Sequence, residues 1–417
     1  MNKKMKGAWI VHHSQKLAQV TGSTGDYERI HLAGRCGLLL NALAATEQAT
    51  LSDKKVKALA KANQINTIME LPTVLKELKR QRLLDKGKSG IEVLGLTTAQ
   101  TLEHTSTIFE EHDPQPCEKA ALELSEKVSD IPLLKNDALH FISDKFEIPS
   151  NDSQNTLLEC KEIGFVDSEA VGNHVLYFNG NLFRKPEIPK INGVISSLTS
   201  DEAQKVSEVI AIFNSEGCIP INKAPSILGA TLYAKLISIG FLDENSIGNE
   251  FGTFSFVTRP AAFSKFSNTA ADDAFDLAKA MVTSLKYGMT KSTYQRGKIT
   301  MINALMRKLI NGHWVGPVRA IGQDYKVLEF KGVVEVQEHS PGKFLMKLLK
   351  KDIGKLALKV ITEGEASADS LFELPTVSAT TYNGPEPNRV FTRRKQTSGV
   401  QKGIVRILDD LRTGGLG

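Results

Sequence analysis

Residues 163–178 open Ile163-Gly164-Phe165-Val166-Asp167 and pass through Gly172-Asn173 to Phe178; residues 239–254 open Ile239-Gly240-Phe241-Leu242-Asp243 and pass through Gly248-Asn249 to Phe254. The two stretches are one pattern written twice. Counted from the aspartate, Gly-Asn stands five and six positions later, an aromatic eleven later, and a proline (Pro149, Pro225) eighteen earlier. The anchors are 76 residues apart, so an internal repeat of that period is the first thing to explain.

The pattern has a local physical meaning. Leu157, Cys160 and Ile163, and again Leu232, Leu236 and Ile239, recur at helical spacing and predict a short amphipathic helix before each anchor. Gly164 and Gly240 stand where a helix ends in a left-handed residue, which a β-carbon penalises. Beyond them the chain reads as strand, polar turn and aromatic-rich strand, a β-hairpin. A small helical unit that ends in a glycine stop and a hairpin resembles the winged-helix superfamily. That resemblance implies a third helix able to enter the DNA major groove and a hairpin loop able to touch the backbone or minor groove.

The template extends in both directions. Towards the C-terminus, Glu335 has Gly332 three residues before it, Leu328 seven before and Pro317 eighteen before, with a turn expected at His339-Ser340-Pro341-Gly342. Towards the N-terminus, Val74, Leu75 and Leu78 lead to Leu83-Leu84-Asp85 and a turn around Lys86-Gly87-Lys88-Ser89-Gly90. Here Arg82 replaces the glycine and the proline, Pro72, is only thirteen residues before the anchor. The fold class is therefore mainly α with small β-hairpins (α+β), a tandem array of three to four winged-helix domains. The division expected is an N-terminal arm (1–25), a basic unit (26–100), an acidic unit (101–192), a third unit (193–268), a second basic unit (269–364) and a linker with a basic tail (365–417).

Composition narrows the class. At 417 residues with 41% apolar and 24% charged, the chain has the make-up of several globular modules rather than one core. Four scattered cysteines without a CxxC pair argue against disulfides and zinc and for a reducing compartment. No signal-like or membrane-length apolar run is present, so the expected location is cytoplasmic, nucleoid-associated if the chain binds DNA, with no membrane partner. Net charge alternates: +8 over residues 1–100, −9 over 101–200, zero over 201–300 and +6 over 301–417. Such asymmetry gives different units different partners.

The residues expected to meet DNA follow from that charge. In the first unit they are Thr73, Lys76, Lys79 and Arg80 on a helix at about 71–83, with Lys86 and Lys88 on its hairpin. At the other end they are Arg319, placed on the third helix of the last unit, then Lys343, Lys350 and Lys351, and Arg393 and Arg394 in the tail. The second unit's equivalent helix carries Asp152, Glu159 and Glu162, which repel phosphate. The second and third units are thus expected to serve a protein partner or self-association.

Enzyme motifs are missing: there is no GxxxxGK[ST], HExxH or GxSxG, and the histidines show no ligand spacing. Asp324, Glu329 and Lys331 superficially resemble the acid…Glu-x-Lys pattern of one nuclease class, a remote alternative. The leading expectation is a non-enzymatic DNA-binding protein without cofactor or metal, a transcription regulator or an accessory of a larger DNA-bound complex. The competing one is a protein–protein scaffold made of the same modules.

Overall fold

The structure is a computed structural model and describes residues 1–20, 25–46, 50–87, 90–93, 95–266 and 272–373. The chain divides into two compact bodies, Met1–Gly180 and a second beginning at Asn181. Helices dominate, and four small antiparallel sheets of three strands each are present among the described residues.

In the first body, α1 (Lys3–Leu17) is followed by α2 (Glu28–Ala44), β1 (Thr50–Leu51), α3 (Asp53–Ala62), α4 (Leu71–Arg80), β2 (Leu84–Gly87) and β3 (Gly90–Val93). Then come α5 (Thr98–Glu111), α6 (Pro116–Asp130), β4 (Leu133–Leu134), α7 (Lys135–Phe146), α8 (Ser150–Ile163), β5 (Asp167–Val171) and β6 (His174–Phe178). The second body begins with α9 (Ile188–Ser196), α10 (Ser200–Phe213), β7 (Cys218–Pro220), α11 (Lys223–Leu228), α12 (Ala230–Ser238), β8 (Asp243–Asn249), β9 (Gly252–Thr258) and α13 (Ala261–Ser264). It continues through α14 (Asp272–Thr290), α15 (Ile302–Ile310), β10 (Val315–Val318), α16 (Ile321–Asp324), α17 (Lys326–Phe330), β11 (Val334–Ser340) and β12 (Lys343–Leu348), and closes with α18 (Lys351–Glu363) and α19 (Ser367–Glu373).

One order recurs four times among the described residues: helix, short strand, two helices, hairpin. It is α2-β1-α3-α4-β2-β3, then α6-β4-α7-α8-β5-β6, then α10-β7-α11-α12-β8-β9, then α15-β10-α16-α17-β11-β12. In every sheet the last strand lies in the middle, between the first strand and its hairpin partner. Asp167 and Asp243 each open a hairpin behind a helix, pairing with Phe178 and Thr258. The residue three before each anchor is left-handed in all four units: Arg82 at φ 57°, Gly164 at 89°, Gly240 at 70° and Gly332 at 64°. The stop is therefore a backbone requirement that three units meet with glycine and the first meets with arginine.

Capping follows local chemistry. Ser52 accepts from the Lys55 amide at the start of α3, and Thr199 and Glu202 form a reciprocal capping box on α10.

Several expectations need correction. The N-terminal arm is helix α1, and Ala8, Ile10, Val11 and His13 are fully buried. It packs against α2, α5 and α6. A β-carbon at Gly7 would overlap the Leu102 carbonyl of α5, and one at Gly34 would overlap Ser14, so backbones approach closely on two sides. Trp9 Nε1 donates to Glu126 Oε2 at 2.6 Å, and the His13 ring stacks on Phe165 at 3.9 Å, directly after the glycine stop of the second unit. A helix enclosed on several sides has no polar stripe, which is why its sequence shows no helical period.

Residues 98–130 form two helices, of which α6 is the first helix of the second unit. Between the second and third units Lys185–Glu187 forms a short 3₁₀ turn leading into α9, whose Ile188 and Ile191 are buried. In the fourth unit α15, not α14, takes the place before the first strand, which moves the third helix to α17. Part of the expected linker after 364 is helix α19, with Ser367, Asp369 and Ser370 buried. The rest of the expected linker and basic tail lies outside the described residues.

Candidate nucleic-acid interface

On α4 the buried residues are Leu71, Val74, Glu77 and Leu78, with Leu75 half-buried, and Thr73, Lys76, Lys79 and Arg80 face outward as expected. Their electrical states differ. Lys76 has no carboxylate partner among the described residues, whereas Lys79 lies 3.9 Å from Asp85. Arg80 is engaged: it donates to Glu77 at 2.7 and 2.9 Å and to Glu111 of α5 at 2.9 Å. Burial pushes the Glu77 carboxyl up, but hydrogen bonds from Arg80, Gln81 and His112 outweigh it and bring the pKa to about 2. Two carboxylates already offset the charge of Arg80, so this arginine ties α4 to α5 and offers a phosphate less net charge than Lys76 does.

Beside it, Lys79, Arg82, Leu83, Leu84, Asp85, Glu92 and Val93 outline a groove of about 530 Å³ at the root of the hairpin. The sequence marks Arg82 only as a missing glycine; the structure places it, exposed, on this edge. Lys86 has its backbone in β2, and Lys88, Arg393 and Arg394 lie outside the described residues.

In the fourth unit Arg319 does not sit on the third helix; it lies between β10 and α16 and is exposed. The cations of the third helix are Lys326 and, at its end, Lys331. Lys343 opens β12, and Lys350 and Lys351 sit at the start of α18, held near α17 because the Lys350 amide donates to the Val333 carbonyl. Lys326, Lys331, Lys343, Lys350 and Lys351 are exposed and have no carboxylate partner among the described residues. Interleaved with them are exposed apolar side chains: Val327 at 65%, Phe330 at 87% and Leu349 at 50% of full exposure.

The acid…Glu-x-Lys set does not converge. Asp324 is buried in a bidentate pair with Arg296 and also accepts from Asn249 Nδ2 at 3.1 Å. Glu329 and Lys331 are exposed on α17 and its end. Among the described residues no three His, Cys, Asp or Glu side chains come together as a metal site would need, and the four cysteines are free thiols.

Arg296 and Glu250 belong to no motif in the sequence, yet they organise the second body. Glu250, at the tip of the β8–β9 hairpin, accepts from Arg296 at 3.3 Å and from Gln323 at 2.8 Å. The neighbouring Phe251 ring lies under the Arg296 guanidinium at 5.1 Å. The hairpin tip of the third unit is thus docked on the fourth, while Gly172-Asn173 at the tip of the second unit's hairpin is exposed. The Gly-Asn of the repeat carries a signal here, since Asn249 is the residue that reaches Asp324.

No family model matches the chain, and no match is found among curated proteins or solved structures. Among the described residues no helix is long and apolar enough to cross a membrane.

Proposed function

We propose that the chain is a DNA-binding protein assembled from tandem winged-helix units, acting as a transcription regulator or as a DNA-bound accessory of a larger complex. The observation that carries this reading is the fourfold recurrence of one helix-strand-helix-helix-hairpin order with the last strand central. Each hairpin stands directly behind a third helix, the two elements such modules lay against a duplex. Charge then separates the units. The first presents Lys76 and the fourth presents five lysines without acid partners among the described residues on or beside that surface, the second presents Asp152, and the third has its hairpin tip occupied by contacts within the body. Contact in this reading runs through Lys76 and Lys79 in the first unit and through Lys326, Lys331, Lys343, Lys350 and Lys351 in the fourth.

The test is the salt dependence of binding of the full chain to a duplex. Each neutralised phosphate adds about 0.9 to the slope of log affinity against log salt. A slope that survives replacement of the fourth-unit lysines by glutamine removes that unit from the interface.

A second reading, a protein–protein scaffold, is favoured by one observation: Val327, Phe330 and Leu349 are large apolar side chains left exposed in the same unit, and exposed apolar surface marks protein contact sites. Loss of a copurifying protein on Phe330→Ser, with no retention of the chain on DNA at moderate salt, would select it.

A further inference from the structure

We propose that the fourth unit holds a binding site for a small hydrophobic monocarboxylate in the cleft between α15, β10 and α16. The site rests on geometry away from α17 and does not depend on the DNA reading.

The cleft measures about 390 Å³, inside the range of about 300–1,000 Å³ typical of small-molecule sites. Leu305, Val315, Val318, Ile321 and Met346 give it an apolar wall. The frame is fixed without an occupant. The Ile299 amide donates to the Gly288 carbonyl at 3.0 Å, and the Ala320 amide donates to the Arg296 carbonyl at 3.0 Å. Gly288 and Gly297 let the 296–299 segment close on its neighbours: a β-carbon on the first would lie 2.6 Å from Ile299 Cδ1, and one on the second 2.8 Å from Val318 Cβ. The Arg296–Asp324 pair holds the far end, so little ordering cost remains for a ligand to meet.

Polarity at this cleft has one sign. Lys298 is half-buried, with Nζ 5.3 Å from the Tyr294 ring, and Lys308 is exposed on α15; neither has a carboxylate partner among the described residues. Asp324, the one acid in the lining, already accepts from Arg296 and Asn249. The lining contains no arginine, so the lysines act as point charges rather than as a bidentate fork, and beside so apolar a wall a singly charged carboxylate is the anionic head that costs least to desolvate. An apolar body in the chamber with its carboxylate at the lysines satisfies both halves of the site.

The experiment uses the full chain and calorimetric titration with decanoate and with 1-naphthoate, each beside its neutral alcohol. Binding of either acid, preferred over its alcohol by roughly tenfold, is expected, and the acid that binds tells a chain-shaped ligand from a flat one. Lys298→Gln with Lys308→Gln should erase the preference for the acid while leaving the apolar contribution. Ala304→Phe should block both probes. Because that substitution adds bulk to the cleft wall, circular dichroism must match wild type; the lysine pair decides the matter if it does not. No binding of either acid at about 1 mM overturns the proposal, as does equal affinity for acid and alcohol. Affinity unchanged in a folded Ala304→Phe variant overturns it too.

Discussion

Arg296 and Asp324 lie in register, with Nη2 2.7 Å from Oδ1 and Nη1 2.8 Å from Oδ2, and both side chains are almost wholly withdrawn from solvent. Burial alone would lower the arginine's pKa, but the hydrogen bonds and charge of Asp324 outweigh it and hold it above the ordinary value. The pair fastens the loop after α14 to α16 and, through Asn249 and Glu250, fastens the β8–β9 hairpin to both.

Breaking one side of that pair leaves an uncompensated charge in the protein interior. Asp324→Ala is expected to cost about 3–5 kcal/mol in the unfolding of the second body, and Arg296→Met with Asp324→Leu together less than that. Glu329→Ala and Lys331→Ala, at exposed positions, should stay within about 0.5 kcal/mol of wild type in the same urea titrations. A single Asp324→Ala variant as stable as wild type would sink the structural role assigned to the pair.

The cations on α4 are expected to behave differently from one another. Lys76→Ala with Lys79→Ala should flatten the salt dependence of duplex binding by about 0.9 for each phosphate no longer neutralised, with thermal stability unchanged. Arg80→Ala should lower the melting temperature of the first body, because Glu77 loses two of its hydrogen bonds while remaining nearly buried. An Arg80→Ala variant that melts like wild type but binds DNA with a flatter slope would reverse the assignment.

The left-handed stop yields a pair of opposite effects. Arg82→Gly should stabilise the first body by about 1 kcal/mol, since glycine adopts that conformation without a β-carbon clash. Gly240→Ala should destabilise the second body by about 1–2 kcal/mol although open space surrounds the position, so backbone strain is the sole cause. Denaturation midpoints measured side by side check both signs.

His13 gives the first body a pH dependence. Burial, and then the charge of the neighbouring His12, push its pKa well below 6.5; Lys16 acts in the same direction and the backbone at Ala121 opposes. Ser125 and Phe165 complete its surroundings. The unfolded chain therefore takes up a proton below pH 6.5 that the folded chain refuses, so stability is present above that pH and falls beneath it. His13→Phe, able to keep the ring on Phe165, should flatten the fall in stability below pH 6.5. An identical profile in the variant would show that another group sets the acid limb.

What the sequence made readable was local. The Asp167 and Asp243 hairpins follow from a glycine stop and an alternating strand within a dozen residues, and the Ser52 and Thr199 caps from four consecutive residues. What it hid was non-local or aperiodic. Helix α1 presents no polar stripe because its partners cover it on several sides. Arg82 does a glycine's work without being one. Asp324 reads as a candidate ligand until Arg296, 28 residues earlier, and Asn249, 75 residues earlier, are seen on it. In the fourth unit two helices, α14 and α15, precede β10, and both read as amphipathic, so counting from α14 runs one helix too early and puts Arg319 on the third helix. Of the residues expected to touch DNA, exposure was legible from helical spacing, but the commitment of Arg80 to Glu111 was not.

Helix α1 sets an order of events during synthesis. It is synthesised before the elements that complete its surroundings: Trp9 finds Glu126 at a separation of 117 residues, and His13 finds Phe165 later still. α2 and α5 cover part of α1 early, but until α6 and the second hairpin have emerged the face that carries Trp9 and His13 lacks its partners, and non-local closure of this kind is slow. The first body is therefore completed by its own beginning, and the interval before that closure is when the nascent chain is most exposed to misassociation and most dependent on protection by chaperones.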